Sequence, residues 1–540
     1  MCKQLKLGLC IGVSVVVLLA CACMCTGEVS AGSRPSPANS PAGRPQFSGT
    51  TYYVSSVNGN DADSGTSAAQ AWKTLKAVNS RTFSPGDKIL FERGTQYTGR
   101  LVAHGSGAEG FPIIVDAYAE GSKPRIDGDS LDMEAVLLYN VQYWEINNLE
   151  ITNRIPQVPD LAGVRVHIEN FGKARHIYLR NLYVHDIDGP HTNALSETGY
   201  GIFWENEGDT VPSVFDDLRV ENCHVKNVNC RGIQSQNRYN RTKNWHPNLN
   251  VVIRNNLVEQ IGGAGITTLG TDGCLIEYNR VDGIGLLSQG NGIHPYKSDN
   301  TVIQYNEVSD CRRGKTEGWG FNSDNLCNNS LFQYNYSHDN EGGFQLVIGE
   351  ACRNTVVRYN ISQNDGFSTT NFSPTFNLSK NCTNTRIYNN TIYVGTKREP
   401  IELVRFFDGG TDLWPDGTRF YNNIFYVDGA VTFIWGSSTN NVFSNNVWYG
   451  KFIGPPNDPC GIYVDPCLVN VNSGGSGLNS LAGYKLQANS PCIGAGTNPG
   501  IEPDIYKNGG RDFWGNPVPT GITNPDIGAH QRGKLWTGIK

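Results

Sequence analysis

The sequence predicts an all-β solenoid built from many short parallel strands, and three observations support this fold class. First, a short segment that ends in Asn and an apolar residue recurs eleven times at intervals of 23 to 41 residues. Second, each copy alternates apolar and polar residues, which is the period of a strand rather than of a helix. Third, Gly is abundant, with 62 residues, and charged residues make up only 17 % of the chain, which favours turns and strands.

The amino terminus has the features of an export signal followed by a tether. Lys3 and Lys6 precede an apolar run of residues 7–20, which is too short to span a bilayer as a helix. We therefore expect residues 1–26 to be a signal peptide or a lipoprotein signal, with Cys21 as the lipidated residue in the second case. Residues 27–49 are rich in Pro, Ser and Gly and predict a flexible linker.

Composition limits the location and the partners of the protein. The formal net charge is −6, so the chain lacks the dense basic surface that a nucleic-acid partner requires. We expect a secreted or outer-surface protein, without a membrane span, that is monomeric and acts on a polysaccharide. Ten Cys follow the signal segment, and export permits disulfides whose pairing the sequence leaves open.

The repeat itself indicates how the coils are built. A second short strand, usually announced by Gly, lies between copies, as in GIFWEN, GIQSQN, GIHPYK and GFNSDN. One such coil cannot bury its own apolar residues, so neighbouring coils must stack. The recurring Asn then occupies one bend on every coil, and we expect a hydrogen-bonded ladder of these residues: Asn148, Asn181, Asn222, Asn256, Asn279, Asn306, Asn335, Asn360, Asn390, Asn423 and Asn446.

Over residues 50–454 the pattern resembles the right-handed parallel β-helix of pectate-lyase-like secreted proteins. Residues 52–79 are similar to the opening of many bacterial β-helix proteins, and residues 485–530 are similar to their close. The resemblance implies a secreted carbohydrate-active protein, although the fold also hosts lyases, hydrolases, epimerases and adhesins. We expect a short helix near residues 72–78 to cap the first coil and residues 455–540 to close the other end.

The Gly-led strands place two columns of side chains on the outer face. Aligning Ile202, Ile233, Ile266, Ile293, Phe321, Phe344 and Phe376 as inward residues puts polar and aromatic groups outside. We expect a carbohydrate groove there, because amides bind hydroxyls and aromatic rings stack on sugars. Nearby loops add Lys297, Arg312, Arg313, Glu317, Trp319, Glu341 and Glu350. The predicted substrate-binding residues are Glu205, Gln234, Gln236, Tyr296, Asn322, Gln345 and Trp319.

Two carboxylates suggest glycosidase chemistry. Asp324 lies in the groove between Tyr296 and Val347 in this alignment, and Glu341 lies beside the next coil. Carboxylates on adjacent coils would be roughly 5–9 Å apart, the range that glycosidases use for an acid and a nucleophile or base. We therefore expect Asp324 and Glu341 to be catalytic.

A polysaccharide lyase is the alternative enzyme. Lys297 or His294 would remove the proton beside a uronate carboxylate, and a cation would neutralise that carboxylate. The calcium-bearing acidic clusters of pectate lyases are not evident in the groove, so no lyase residue is transferred to this chain. We expect no required cofactor, with calcium as an option and its ligands unknown; residues 58–65, which include Asp61, are only faintly similar to a calcium loop.

The sequence therefore predicts a glycoside hydrolase first, a polysaccharide lyase second, and a non-catalytic glycan-binding or surface structural protein third. It leaves open the sugar, the linkage and whether cleavage is endo or exo.

Overall fold

The computed structural model describes residues 47–128, 133–154, 160–189, 199–314, 316–368, 373–397, 400–498, 510–519 and 524–532. These residues belong to one compact unit that begins at Phe47. The predicted signal segment, Cys21 and most of the linker lie outside the described residues. Within the described ranges, no helix has the length and apolar character needed to cross a bilayer.

The chain is almost entirely strand, with one α-helix, α1 (Leu75–Asn79), and two 3₁₀ helices, Ala68–Gln70 and Leu478–Tyr484. The strands, in chain order, are β1 Thr51–Val54, β2 Lys88–Glu92, β3 Gln96–Thr98, β4 Leu101–Ala103, β5 Ile113–Tyr118, β6 Arg125–Gly128, β7 Glu134–Tyr139, β8 Trp144–Asn147, β9 Glu150–Asn153, β10 Ala162–Glu169, β11 Lys173–Arg180, β12 Tyr183–Ile187, β13 Tyr200–Glu207, β14 Val214–Glu221, β15 His224–Val228, β16 Arg231–Asn237, β17 Asn248–Leu249, β18 Val252–Arg254, β19 Leu257–Ile261, β20 Ile266–Leu269, β21 Thr271–Asp272, β22 Leu275–Glu277, β23 Arg280–Ile284, β24 Ile293–Tyr296, β25 Val302–Gln304, β26 Glu307–Cys311, β27 Trp319–Asp324, β28 Leu331–Gln333, β29 Tyr336–His338, β30 Gly343–Ile348, β31 Val356–Arg358, β32 Ile361–Gln363, β33 Phe376–Ser379, β34 Arg386–Tyr388, β35 Thr391–Val394, β36 Ile401–Phe407, β37 Arg419–Tyr421, β38 Ile424–Ile434, β39 Val442–Ser444 and β40 Val447–Ile453.

The strands form three parallel faces, which confirms the predicted parallel β-helix. Face A runs β1-β2-β5-β8-β11-β14-β18-β22-β25-β28-β31-β34-β37-β39. Face B runs β3-β6-β9-β12-β15-β19-β23-β26-β29-β32-β35-β38-β40. Face C runs β4-β7-β10-β13-β16-β20-β24-β27-β30-β33-β36 and joins face B through β38.

Inward side chains from all three faces make one continuous apolar core along the axis. Stacking brings like residues together, as in the edge-to-face series Phe321, Phe344 and Phe376, whose ring centroids lie 6.1 and 5.4 Å apart. The predicted capping helix is confirmed: α1 buries Leu75 and Val78 against the first coils. This burial covers core that would otherwise face water at the end of the stack.

The Asn ladder is confirmed from Asn256 onward, at the turn between faces A and B, and the prediction is wrong for Asn148, Asn181 and Asn222. These three residues occupy the left-handed position just before the ladder position, as Asn255 does, with φ between 53° and 57°. Leu149, Leu182 and Cys223 stand at the ladder position itself, and the backbone N–H of Cys223 donates to Asn256 Oδ1 at 2.8 Å. From Asn256 to Asn446, the backbone N–H and side-chain Nδ2 of each Asn donate to the Oδ1 of the next, mostly at 2.9 or 3.0 Å. Asp458 ends the ladder by accepting from the backbone N and Nδ2 of Asn446 at 3.0 and 2.9 Å. Each coil thus satisfies buried polar groups of its neighbour.

The C-terminal segment does more than close the end of the helix. Ile462 pairs with Val447 on the last coil, as a cap requires. The chain then returns along the outside of the turn between faces A and B, where Leu481, Tyr484 and Ile527 join a second apolar cluster. This cluster covers outward residues of the middle coils, which strand alternation alone would leave exposed.

None of the ten cysteines among the described residues forms a disulfide. Cys327, Cys352 and Cys382 each precede a ladder Asn by eight residues, and this equal offset predicts that they stack on successive coils. The prediction is confirmed, because the residues that follow them, Asn328, Arg353 and Thr383, pair in register. The three thiols are buried in the core.

Candidate active site

Face C carries two outward columns, and the strand register aligns them. One column holds, in order, Arg165, Phe203, Gln234, Thr267, His294, Asn322, Leu346, Asn377 and Arg405. The other, which we name the Asp324 column, holds His167, Glu205, Gln236, Leu269, Tyr296, Asp324 and Ile348. The predicted columns are therefore correct up to β27 and shift by one residue at β30.

The shift lies in the register of β30. Trp319 pairs with Gly343 and Phe321 with Gln345 at one constant offset, so Asn322 faces Leu346 instead of Gln345, and Asp324 faces Ile348 instead of Val347. The hydrogen bonds to the next strand are irregular here, because the backbone N–H groups of Phe344 and Gln345 both donate to the carbonyl of Thr375, at 2.9 and 3.0 Å. The alignment from sequence is wrong here because the ring of Phe344 packs between Phe321 and Phe376 although Gln345 is the residue that pairs with both.

Asp324 lies half-buried at the end of β27 with its carboxylate held on both sides. Its Oδ1 accepts from the backbone N and Nδ2 of Asn325 at 2.8 and 2.9 Å, and its Oδ2 accepts from Asn322 Nδ2 at 3.2 Å. Burial, together with the negative charge of Glu317, raises the pKa of Asp324 to about 7. A carboxyl group with this pKa can donate a proton near neutral pH.

Glu317 is the second carboxylate of the site. Its Oε2 accepts from Asn291 Nδ2 at 2.6 Å. The Oδ1 of Asn291 accepts from the backbone N–H groups of Gly318 and Trp319, at 3.2 and 3.0 Å, so one amide fixes both the carboxylate and the turn behind it. Burial raises the pKa of Glu317, while Asn291, Arg231 and Arg313 favour its ionised form.

Glu341, in contrast, holds a loop. Its carboxylate forms an ion pair with Arg312 at 2.9 Å and accepts from the backbone N of Arg313 at 2.7 Å. It comes two residues before Gly343, which pairs with Trp319, five residues away from Asp324 along β27. Glu317 approaches from the same end of β27, but of these two carboxylates it is the one whose negative charge helps to raise the pKa of Asp324.

His294 is adjacent to Asn322 on the preceding coil. Burial and the positive charge of Arg231 lower the pKa of His294 to about 3, so its imidazole is neutral at physiological pH. Its Nε2 lies 3.5 Å from Thr267 Oγ1. Lys297 follows β24 in a left-handed conformation, with its Nζ 5.1 Å from the centroid of the Tyr296 ring. Tyr296 itself pairs with Asp324 on the next strand. Burial and the negative charge of Asp324 raise the pKa of Tyr296.

Several buried polar atoms of this face have no hydrogen-bond partner among the described residues. Because a buried polar atom without a partner costs free energy, a row of them indicates a surface shaped for a polar ligand. Three of them belong to the outward column that begins at Arg165: His294 Nδ1 on β24, Asn322 Oδ1 on β27 and Asn377 Oδ1 on β33. Gln345 Oε1 also lacks a partner, but Gln345, predicted to bind substrate, pairs with the inward residues Phe321 and Phe376 and stands outside this column.

Three other predicted binding residues have different surroundings. Trp319 is 1 % exposed, and its Nε1 donates to the carbonyl of Pro374 at 3.2 Å, so its ring offers no face to a sugar. Gln234 and Gln236 are half-buried on β16 and face the groove. They lie three coils before Asp324, about 14 Å away along the axis.

Glu205 lies within an ion-pair network, four coils before Asp324. Although burial opposes its ionisation, Arg165 and Arg238 hold the pKa of Glu205 below its usual value. Arg238 Nη2 lies 2.7 Å from Glu205 Oε2. Among the described residues, His167, Glu205 and Glu207 form a group whose ligand atoms lie within 4.8 Å of one another. The two guanidinium groups already neutralise this site, which disfavours a metal cation.

Asp61, in the segment considered for calcium, has protein partners in the structure. Its Oδ1 accepts from the backbone N–H groups of Lys73 and Thr74 at 2.7 and 2.9 Å, and its Oδ2 accepts from Thr74 Oγ1 at 2.6 Å. The carboxylate therefore anchors the chain that enters α1. Calcium binding stays a prediction.

Comparisons with known proteins agree with this fold. The chain matches no protein-family model. It is 28 % identical to the lacto-N-biosidase of Bifidobacterium longum subsp. longum over 89 % of this chain, and it spans about a third (36 %) of that relative's length.

Two solved structures are similar. The GH136 lacto-N-biosidase of Eubacterium ramulus matches with a TM-score of 0.56 and 26 % identity, over 73 % of this chain and 68 % of that one. The xylose complex of XylC matches with a TM-score of 0.51 at 11 % identity, over 89 % and 98 % of the two chains, which shows the fold alone. The predicted resemblance to parallel β-helix proteins of the carbohydrate-active kind is confirmed, and the relatives with the higher identity are lacto-N-biosidases.

Proposed function

We propose that this protein is a glycoside hydrolase in which Asp324 and Glu317 are the two catalytic carboxyl groups. The observation that carries the proposal is the interaction of their charges in a half-buried groove, where burial and Glu317 together raise the pKa of Asp324 to about 7. Glycosidic cleavage requires two carboxyl groups, one of which is protonated. The similarity to lacto-N-biosidases supports the same reaction class.

In this proposal, Asp324 protonates the oxygen of the departing sugar. Asn322 and Asn325 orient its carboxyl group through three hydrogen bonds. Glu317 is the ionised partner in this proposal and acts on the opposite side of the sugar as the nucleophile or as the base for water. Burial raises its pKa, and Asn291, Arg231 and Arg313 oppose that rise by favouring the anion. Asn291 fixes the position of Glu317.

The substrate that we propose is a glycan bearing lacto-N-biose. The enzyme cleaves a glycosidic bond next to the lacto-N-biose unit and can thereby release it. The groove floor supports an uncharged sugar: His294 is neutral, and Asn322 and Asn377 are amides. The cation of Arg405, at the far end of the column, is neutralised by Glu402, whose Oε2 accepts from Arg405 Nε at 2.6 Å. A uronate, which carries a negative charge, would compete with protein carboxylates for the cations near this floor, since Arg231 and Arg313 act on Glu317 and Arg405 pairs with Glu402.

This same chemistry argues against the lyase alternative. A base with a pKa of about 3, as for His294, is too weak to remove a proton from carbon efficiently near neutral pH. Lys297 lies beyond the strand, against the Tyr296 ring, instead of among the unpartnered atoms of the floor. From the sequence alone, we also propose that the protein is exported, with lipidation at Cys21 as one route to the cell surface.

The decisive experiment compares the purified protein with Glu317→Gln and Asp324→Asn on an aryl lacto-N-bioside and on a glycan panel. We expect each variant to lose at least about 10²-fold in kcat while remaining folded. Glu350→Gln is the matched control, because Glu350 is an exposed carboxylate near Tyr296. Activity close to the parent in both variants would overturn the assignment of the pair. An unsaturated product would indicate a lyase, and no turnover on any glycan would favour a non-catalytic binding protein.

A further inference from the structure

We propose that Tyr278 forms a second carbohydrate-binding site, at the turn between faces A and B and separate from the groove of face C. The site takes one ring of a neutral glycan. The choice of ligand rests on the proposed glycoside hydrolase function, but its test does not depend on catalysis.

Tyr278 is the exposed end of a stack of tyrosine rings. Its ring lies parallel to that of Tyr305, with centroids 4.9 Å apart and an interplanar angle of 3°, and Tyr305 in turn stacks on Tyr334 at 4.9 Å. Tyr359 and Tyr388 continue the series. All but the last of these residues occupy the same left-handed turn position, with φ between 51° and 57°. The stack follows directly from the repeated Tyr-Asn pair of the coils.

The C-terminal segment covers one end of this stack and leaves the other open. Tyr334 is buried, and its hydroxyl donates to the carbonyl of Arg511 at 2.7 Å. Tyr278, in contrast, is 49 % exposed. The equivalent turn position on the preceding coil is Asn255. Its backbone N–H donates to the backbone carbonyl of Glu277, just as the backbone N–H of Tyr278 donates to the backbone carbonyl of Gln304. Since Asn255 is small, the place that another ring would fill lies open above Tyr278.

A sugar ring matches this place in size and in chemistry. Successive coils lie about 4.8 Å apart, which is close to the thickness of one ring plus its contact distance. The C–H face of a pyranose is apolar and packs on an aromatic ring, whereas its hydroxyl groups need donors and acceptors at the edge. Tyr278 offers a flat surface that is already immobilised by stacking, so little side-chain entropy is lost on binding.

The groups at the edge are polar and balanced in charge. Arg254, on the same coil as Asn255, pairs with Glu277 at 2.7 Å, and Gln304 Nε2 donates to the other oxygen of Glu277 at 2.7 Å. Arg254 also lies 3.8 Å from Glu221 on the preceding strand. The cation is thus neutralised, which favours a ligand with hydroxyl groups over an anionic one.

The test measures glycan binding without turnover. In the Glu317→Gln background, affinity electrophoresis is run through gels containing a mucin glycoprotein with neutral glycans, or dextran sulfate as an anionic probe. We expect mucin to retard the protein and Tyr278→Ala to raise the apparent Kd about fivefold, as expected for the loss of one aromatic contact. Tyr278→Phe keeps the ring and is expected to bind like the parent. Tyr463→Ala, at an exposed tyrosine elsewhere, is the matched control.

Equal retardation of Tyr278→Ala and the parent would overturn the inference, and so would no retardation of the parent or retardation by dextran sulfate alone. Thermal denaturation of each variant identifies any loss of binding that comes from unfolding. If the enzyme hydrolyses no glycan but mucin binding depends on Tyr278, the second site stands while the proposed function fails. If the enzyme hydrolyses an aryl glycoside but Tyr278→Ala has no effect on mucin binding, the proposed function stands while the second site fails.

Discussion

The backbone amide of Gly477 donates to both carboxylate oxygens of Glu307, at 2.9 and 3.0 Å, across 170 positions of the chain. Glu307 also accepts from His338 at 3.3 Å, and the other ring nitrogen of His338 lies 3.0 Å from Asp339. Asp339 in turn pairs with Lys397. The C-terminal segment is therefore held to the β-helix by a small network of charges.

This network predicts a pH-dependent stability. Burial opposes the charge on His338, but Asp339 and Glu307 outweigh it and raise the pKa of His338 to about 9. Because the folded pKa lies above the unfolded value of 6.5, the stabilisation is complete below about pH 6.5 and is lost as the pH rises through 9. We expect the melting temperature to fall between pH 7 and 9, and His338→Gln to remove most of that slope. A parent whose melting temperature is flat over this range would contradict the role of the network.

The pH dependence of activity should reflect Asp324. With its pKa raised to about 7, the protonated acid is lost as the pH rises, so kcat/KM on an aryl lacto-N-bioside should decline above about pH 7. An aryl lacto-N-bioside with a good leaving group needs less protonation than one with a poor leaving group, so its kcat/KM should decline less. The pH profiles of kcat/KM for these two substrates check the assignment. Identical declines at alkaline pH would contradict the role of Asp324 as the acid.

Asp324→Asn should make the protein more stable although less active. The folded pKa of Asp324, about 7, lies above its unfolded value of 3.8, so ionisation of Asp324 destabilises the fold. This destabilisation is absent below pH 3.8, grows between pH 3.8 and 7, and is complete above pH 7. Removing the charge beside Glu317 should therefore raise the melting temperature at pH 8, and much less at pH 4. Glu350→Gln is the matched control, with no change expected. A lower melting temperature at pH 8 would show that the carboxylate is not under strain.

Glu341→Gln should affect activity through the loop that carries Glu317. The change removes the charge that holds Arg312 and weakens the bond from the backbone of Arg313. We expect a roughly tenfold lower kcat, with KM less affected, because misplacement of a catalytic group slows the reaction steeply. Glu341→Asp, which keeps the charge, should recover part of the loss. A loss as complete as that of Glu317→Gln would instead assign Glu341 to the chemistry.

Asn335→Leu tests the ladder. Asn335 donates to Asn360 at 3.0 Å and accepts from Asn306 at 3.0 Å, so leucine leaves unpaired groups on both neighbouring coils. Each buried unpaired group should cost about 1–3 kcal/mol of unfolding free energy. Asn58→Leu, at an exposed position, should change it by less than about 0.5 kcal/mol. Denaturant unfolding of the two variants separates the cases, and equal stabilities would contradict the ladder.

The sequence predicted the features that recur from coil to coil and missed the features that occur only once. The Asn ladder, the Cys stack and the Asp324 column follow from equal spacing, because equal places on a coil become neighbours in the stack. Glu317 was visible only as a loop residue beside the groove, since the path of a loop back onto the strand depends on tertiary contacts such as that with Asn291. The register of β30 left no sign in the apolar pattern, because Phe344 packs between Phe321 and Phe376 although Gln345 pairs with both.

The C-terminal segment was predicted as a plug and is also a cover. Its outward partners, such as Leu331 and Val356, are apolar residues at positions that alternation assigns to solvent. An apolar residue at an outward position is therefore the signal that indicates a covering segment.

The free thiols have a practical consequence for producing the enzyme. Stability here comes from stacked coils, the ladder and the apolar core, and no cross-link between the ten described cysteines contributes to it. Expression in a reducing cytoplasm should therefore yield the native fold, and reducing agents should leave its melting temperature unchanged. A thiol-specific label should react first with Cys460, which is exposed, while the buried column of Cys327, Cys352 and Cys382 reports global unfolding.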